Sequence, residues 1–143
     1  MITKELVDES NFIRKLVDIG RFDESYQQSV AFLNKLASIT IRSDNYFIVL
    51  ANIAGTLVDI GQMQNNKDAS ELGCNLMEDN KEAFISVLGE CLYYYNYGNA
   101  LSNFVSITNP NDHTFKSIEE LVSLKNIYWR SFKLSSEEQE EFQ

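Results

Sequence analysis

Apolar residues along this chain recur every three or four positions, and no stretch alternates with period two for long enough to make a strand. Phe12, Ile13, Leu16 and Ile19 form the first stripe, at i, i+1, i+4 and i+7, and Gly20 follows as a helix stop. A second helix starts near Asp23 and carries Tyr26, Val30, Leu33 and Leu36. Only a short polar turn separates the two, which predicts an antiparallel helix pair. Ser43 or Asp44 caps a third helix holding Leu50, Ile53, Ala54, Leu57 and Ile60, and Gly61 ends it. The polar residues 62–66 lead to a shorter helix with Ala69, Leu72, Leu76 and Met77. Asp79 or Asn80, with Glu82 behind it, opens a long helical stretch from about Lys81 to Ile107. A polar loop over 108–113 precedes a last helix with Phe115, Ile118, Leu121, Val122, Ile127 and Trp129. The fold class is therefore all-α: about three stacked antiparallel helix pairs, plus the start of a C-terminal helix. That start lies at 135–141, where serines cap and glutamates fill the first turn. Because it is cut off one turn later, residues 1–143 read as the N-terminal part of a longer protein.

The same pattern contains a duplication. Leu-Val-Asp-Ile-Gly stands at 16–20 and again at 57–61, 41 positions later. Repeated units imply that each leaves an apolar face for its neighbour to bury. A third unit carries Tyr94-Tyr95-Asn96-Tyr97-Gly98-Asn99-Ala100-Leu101. In this run Tyr94, Tyr97, Gly98 and Leu101 resemble, in order, the first-helix pattern of a tetratricopeptide repeat. Leu50, Ile53, Ala54 and Leu57 take those places in the second unit, and Phe12, Ile13 and Leu16 in the first, where Phe22 and Ser25 match the start of the second helix. The resemblance covers most of the chain and is weakest in the second helix of the second unit. Family repeats run about 34 residues, whereas the first helices here are offset by 41 and then 44 positions, so extra residues sit at both junctions. The reading is one TPR-like domain over 1–143, with units at about 3–40, 43–79 and 80–134.

What the resemblance implies about function is a concave groove, lined by the first helices, that binds a peptide. In register, Asn11, Asn52 and Asn96 fall at one equivalent groove-facing position. The same face would present Ser10, Arg14 and Asp18 in the first unit, Ala51, Gly55 and Asp59 in the second, and Tyr95, Asn99 and Asn103 in the third. Asn96, Asn99 and Asn103 share one side of their helix, with Tyr94, Tyr97, Leu101 and Phe104 on the other. An asparagine amide both donates and accepts, so a row of them can hold a peptide backbone without reading its side chains. The expected partner-binding set is thus Asn11, Arg14, Asp18, Asn52, Asp59, Tyr95, Asn96, Asn99 and Asn103. It lacks the lysine and arginine cluster with which some family members clamp a terminal carboxylate, so an internal, neutral or basic peptide is expected.

Charge narrows the partners. Twelve Lys/Arg against twenty-one Asp/Glu give a formal charge of −9, with no basic stripe, which argues against nucleic acid. The N-terminus is no signal peptide and no apolar run is read as spanning a bilayer, so a cytoplasmic, non-membrane protein is expected. Cys74 and Cys91 stand apart without a nearby histidine pair and read as buried thiols rather than a metal or redox site. The single histidine, His113, sits beside Asp112 in the polar loop without a nucleophile or a second ligand. The glycines are scattered singly, so no phosphate cradle forms. Of the tyrosine cluster, Tyr94 and Tyr97 read as core by helical phase and only Tyr95 is read as pointing at the groove; Trp129 with Tyr128 also reads as core. No enzyme, metal or cofactor is expected of this segment. Three roles stay open: a peptide-binding scaffold, a regulatory arm of a larger bacterial effector, and a homodimerisation module closed by a second copy over an uncapped end. The second rests on a resemblance to the irregular repeat arms that precede HEPN-type ribonuclease domains; the arginine-to-histidine motif of such a nuclease is not in the chain.

Overall fold

A computed structural model describes residues 1–107 and Asn126. The predicted loop at 108–113, the last helix with Trp129, His113 and the C-terminal glutamates lie outside the described residues. Among the described residues six helices follow one another: α1 (Lys4–Asp18), α2 (Phe22–Ala37), α3 (Asp44–Gln64), α4 (Lys67–Asp79), α5 (Lys81–Leu88) and α6 (Glu90–Ile107). The all-α expectation holds.

Local chemistry accounts for the ends. Thr3 caps α1 by accepting from the Leu6 backbone N–H, and Asn66 caps α4 by accepting from Ala69 N–H at 3.1 Å. After α1, Gly20 sits at φ +82°, Gly20 N–H donates to the Val17 carbonyl and Arg21 N–H to the Leu16 carbonyl. This is the double hydrogen-bond closure in which a left-handed residue stops a helix, and it lets α2 fold back on α1. The buried Ser25 hydroxyl then donates to the Ile13 carbonyl at 2.9 Å, tying the pair together.

Gly61 behaves differently from Gly20, which corrects the expectation that both copies of the repeated pentapeptide end a helix. The third helix runs on to Gln64 and stops at Asn65, at φ +50°. A side chain at position 61 would meet Ser70 Cβ at 2.7 Å and the Ser70 Cα and N at 2.9 Å. Glycine is there because α4 crosses α3 at that point. The helix expected to run unbroken from Lys81 to Ile107 is also divided: Gly89, at φ +88° and ψ 155°, separates α5 from α6. Only glycine enters that region without strain.

The core is centred on α3, which packs against each of the other five helices. Ile53, Ala54, Leu57 and Ile60 are fully buried along it, and Phe32, Leu36, Phe84 and Tyr93 close over it from α2, α5 and α6. Contrary to the expectation of no such run, α3 is by length and composition long and apolar enough to cross a bilayer. Its central place accounts for that apolarity, since more than half of the span is buried against the helices around it. Two expected stripe members fall outside: Phe12 and Ile19 are exposed, and the buried face of α1 is Ser10, Ile13, Leu16 and Val17. Val30 is exposed as well. Cys74 is buried, whereas Cys91 is only half-buried.

The helices form stacked layers. The pairs α1–α2 and α3–α4 pack internally, α2 also touches α3, and α4 touches α6. The first helices of successive units, α1, α3 and α6, lie side by side in that order. Helix α5 is the extra material at the second junction. It is joined to its neighbours by Asn80 and Gly89 and packs mainly against α3 and α6.

Candidate functional site: a cleft between the first helices

Between α3 and α6, with α5 as one wall, the structure forms a cleft of about 540 Å³. From α3 come Ala51, Asn52, Gly55, Val58, Asp59 and Gln62; from α6 come Tyr93, Asn96, Asn99 and Asn103. Arg14 reaches in from α1, Met77 from α4, and Phe84 and Leu88 from α5. Helical spacing explains the two long walls. Residues 52, 55, 59 and 62 fall at steps of three and four on α3, as do 96, 99 and 103 on α6, so each set makes one stripe.

Six of the nine sequence-predicted residues line this one cleft: Arg14, Asn52, Asp59, Asn96, Asn99 and Asn103. The other three stand elsewhere. Asn11 is exposed on α1 and does not line the cleft, and Tyr95 is 47% exposed on a different side of α6. Asp18 stays exposed at the rim, where it faces Arg14 at 3.7 Å. The groove-facing tyrosine is instead Tyr93, two positions before Tyr95 and therefore about 200° away around the helix.

The asparagines divide by environment. Asn52 donates its amide N–H to the Ser10 Oγ at 2.6 Å, across the α1–α3 contact, so its donor is already used. By contrast, the side-chain amides of Asn96, Asn99 and Asn103 have no hydrogen-bond partner among the described residues. All three are half-buried, held at the cleft surface by the buried Tyr93, Tyr94, Tyr97 and Leu101 of their own helix. Tyr93 is fixed in turn, because its hydroxyl donates to the Met77 carbonyl at 2.9 Å. Burial raises its phenol pKa well above the usual range, with Tyr94 and Glu78 adding to the effect. Tyr97 is raised likewise, by burial first and then by Glu78.

One end of the cleft is charged. The Arg14 guanidinium pairs with Asp59 across the helices and lies near Asp18, so one cation answers two carboxylates. These groups are substantially exposed, which limits each pair to a fraction of a kcal/mol up to about 1 kcal/mol. The residual charge at this end is negative.

Chemically the lining offers neutral amide hydrogen bonding over an apolar floor of Val58, Met77, Phe84 and Leu88, with a carboxylate at one end. Its one hydroxyl, on Tyr93, is already committed. Among the described residues no group of three His, Cys, Asp or Glu side chains is placed to hold a metal ion. The Cys74 thiol is pushed up to about 12 by burial, reinforced by Glu78 and Glu71, which makes it a poor nucleophile. Comparison with protein-family models, with curated proteins and with solved structures gives no match to this chain.

Proposed function

We propose that this chain is a protein-interaction module, a TPR-like array that holds a peptide segment of a partner in the cleft between α3 and α6. The observation that carries this reading is the row of three amides, Asn96, Asn99 and Asn103, half-buried in the cleft without partners among the described residues. A half-buried amide that is not bonded within its own chain is prepared for a ligand's N–H and C=O groups. The row sits on rigid helix, held by buried tyrosines beneath it, so little order has to be created on binding. The absence of a lysine or arginine cluster in the lining favours an internal segment over a chain terminus. The role is binding rather than catalysis.

Selection from a displayed library of random linear heptapeptides tests the reading. The wild-type chain recovers binders, and combining Asn96→Ala with Asn99→Ala weakens them by about 2–3 kcal/mol, on the order of a hundredfold, while helical content stays unchanged. Equal affinity in the double variant moves the site off this cleft. Failure of the wild-type chain to select any peptide removes the proposal.

A further inference from the structure

The glycines of α3 and α4 sit in different surroundings. Gly61 and Gly73 are required by their neighbours, since a Cβ would meet Ser70 and Val58, respectively, at 2.7 Å. Gly55 is not: among the described residues a Cβ there would meet nothing within 4 Å, and its backbone is ordinary helix. A glycine inside a helix is less favourable than alanine, so one that serves neither packing nor backbone conformation needs another reason. Gly55 lies in the wall of the cleft, between Asn52 one turn before it and Asp59 one turn after it. Close approach of a ligand's backbone is the remaining use of a missing side chain at such a place.

The opposite wall suggests what approaches. Asn99 and Asn103 are separated by a rise of about 6 Å along α6. An extended chain repeats its backbone orientation every two residues, about 6.6 Å, so the two amides can serve alternate residues of one strand. One turn beyond Gly55, Asp59 shares Arg14 with Asp18, leaving surplus negative charge. Resting on the peptide-binding reading above, we propose that the occupant is a single extended peptide strand, laid with its backbone against Gly55 and its alternate residues held by Asn99 and Asn103. One of its side chains is a lysine or arginine directed to Asp59. Gly55 is then the residue that sets the depth of the site, and the aspartate end sets its charge preference.

The test uses Gly55→Ala, Gly55→Leu and the double asparagine variant, with linear heptapeptides selected on the wild-type chain as the probe. Gly55→Ala is expected to melt at the same temperature or higher, because its methyl enters open space, yet to bind the selected peptides at least about tenfold more weakly. Gly55→Leu abolishes binding, and the selected peptides are enriched in lysine or arginine. The role of Asp59 is probed further by Asp59→Asn, which relaxes that enrichment. Unchanged affinity in both Gly55 variants, alongside a loss in the asparagine variant, overturns the role of Gly55 and leaves the cleft reading standing. A lower melting temperature for Gly55→Ala overturns the premise of open space. Selected peptides without basic residues overturn the charge preference, and no selected peptide at all overturns both readings.

Discussion

Replacing Gly61 by alanine puts a methyl group where α4 already is. The new Cβ would stand 2.7 Å from Ser70 Cβ and 2.9 Å from both Ser70 Cα and N. Two of those three atoms are backbone, so no rotamer change relieves them and the helices must move apart. Overpacking of this kind costs about 1–3 kcal/mol, and contact with rigid backbone places it in the upper half of that range. Alanine returns about 0.8–1.0 kcal/mol of helix propensity. The net expectation is a loss of about 1–2 kcal/mol, a fall in melting temperature of roughly 3–10 °C for a domain of this size. Urea denaturation followed by circular dichroism reads it directly. Adding Ser70→Gly removes only the 2.7 Å contact, so it rescues part of the loss. A Gly61→Ala chain that melts at or above the parent temperature refutes the assignment of Gly61 to helix packing and returns it to a helix-stop role.

Two other outcomes follow from the geometry. Asn52→Ala strips the buried Ser10 hydroxyl of its donor and should cost about 1–2 kcal/mol, whereas Asn96→Ala, at the equivalent repeat position, should leave stability nearly unchanged; equal losses in denaturation midpoint would sink that distinction. The alkaline limb of stability has a defined sign. Cys74 releases its proton near 9.0 when unfolded and near 12 when folded, so its contribution is complete below pH 9 and drains away as pH rises from 9 toward 12. Tyr93 and Tyr97 act in the same direction from about pH 10 upward. Denaturation midpoints measured across that window should fall steadily, and Cys74→Ala should flatten the early part of the fall.

Most of the helices could be read from the chain because their apolar stripes match the burial that tertiary packing imposes. The errors have specific causes. A glycine after an apolar stripe signals a stop only if the next residues turn away. At Gly20 they do, whereas at Gly61 the helix continues because another helix lies across it. Gly89 breaks a stretch whose propensity is otherwise helical, and the mark was a lone glycine inside the pattern. In the cleft, the repeat register brought Asn96, Asn99 and Asn103 together with Asp59 and Arg14, since it fixes which side of each first helix faces its predecessor. The same rule explains what it missed. Asn96 faces toward α3 and Asn52 toward α1, but among the described residues no helix precedes α1, so Asn11 faces solvent. The tyrosine in the groove is Tyr93 rather than Tyr95, a matter of phase that a repeat of irregular length does not set. The wall made by α5 has no mark in the apolar pattern, because the helical spacing runs on through 81–107 and only the lone Gly89 signals the break.

The position of α3 also bears on how the protein comes apart. In a regular repeat array each unit touches only its neighbours, so an end can fray while the rest stays folded, and units can be trimmed or added. Here a single helix contacts all five other described helices, including α5, which belongs to no regular pair. Removing any one pair uncovers part of α3, whose buried residues then face water. The described helices should therefore lose their structure in one cooperative step, with backbone amides on α3 exchanging only as fast as the whole molecule opens. A modular-looking sequence thus packs around one shared helix, and the cleft, walled by α3, α5 and α6, is built on that same helix.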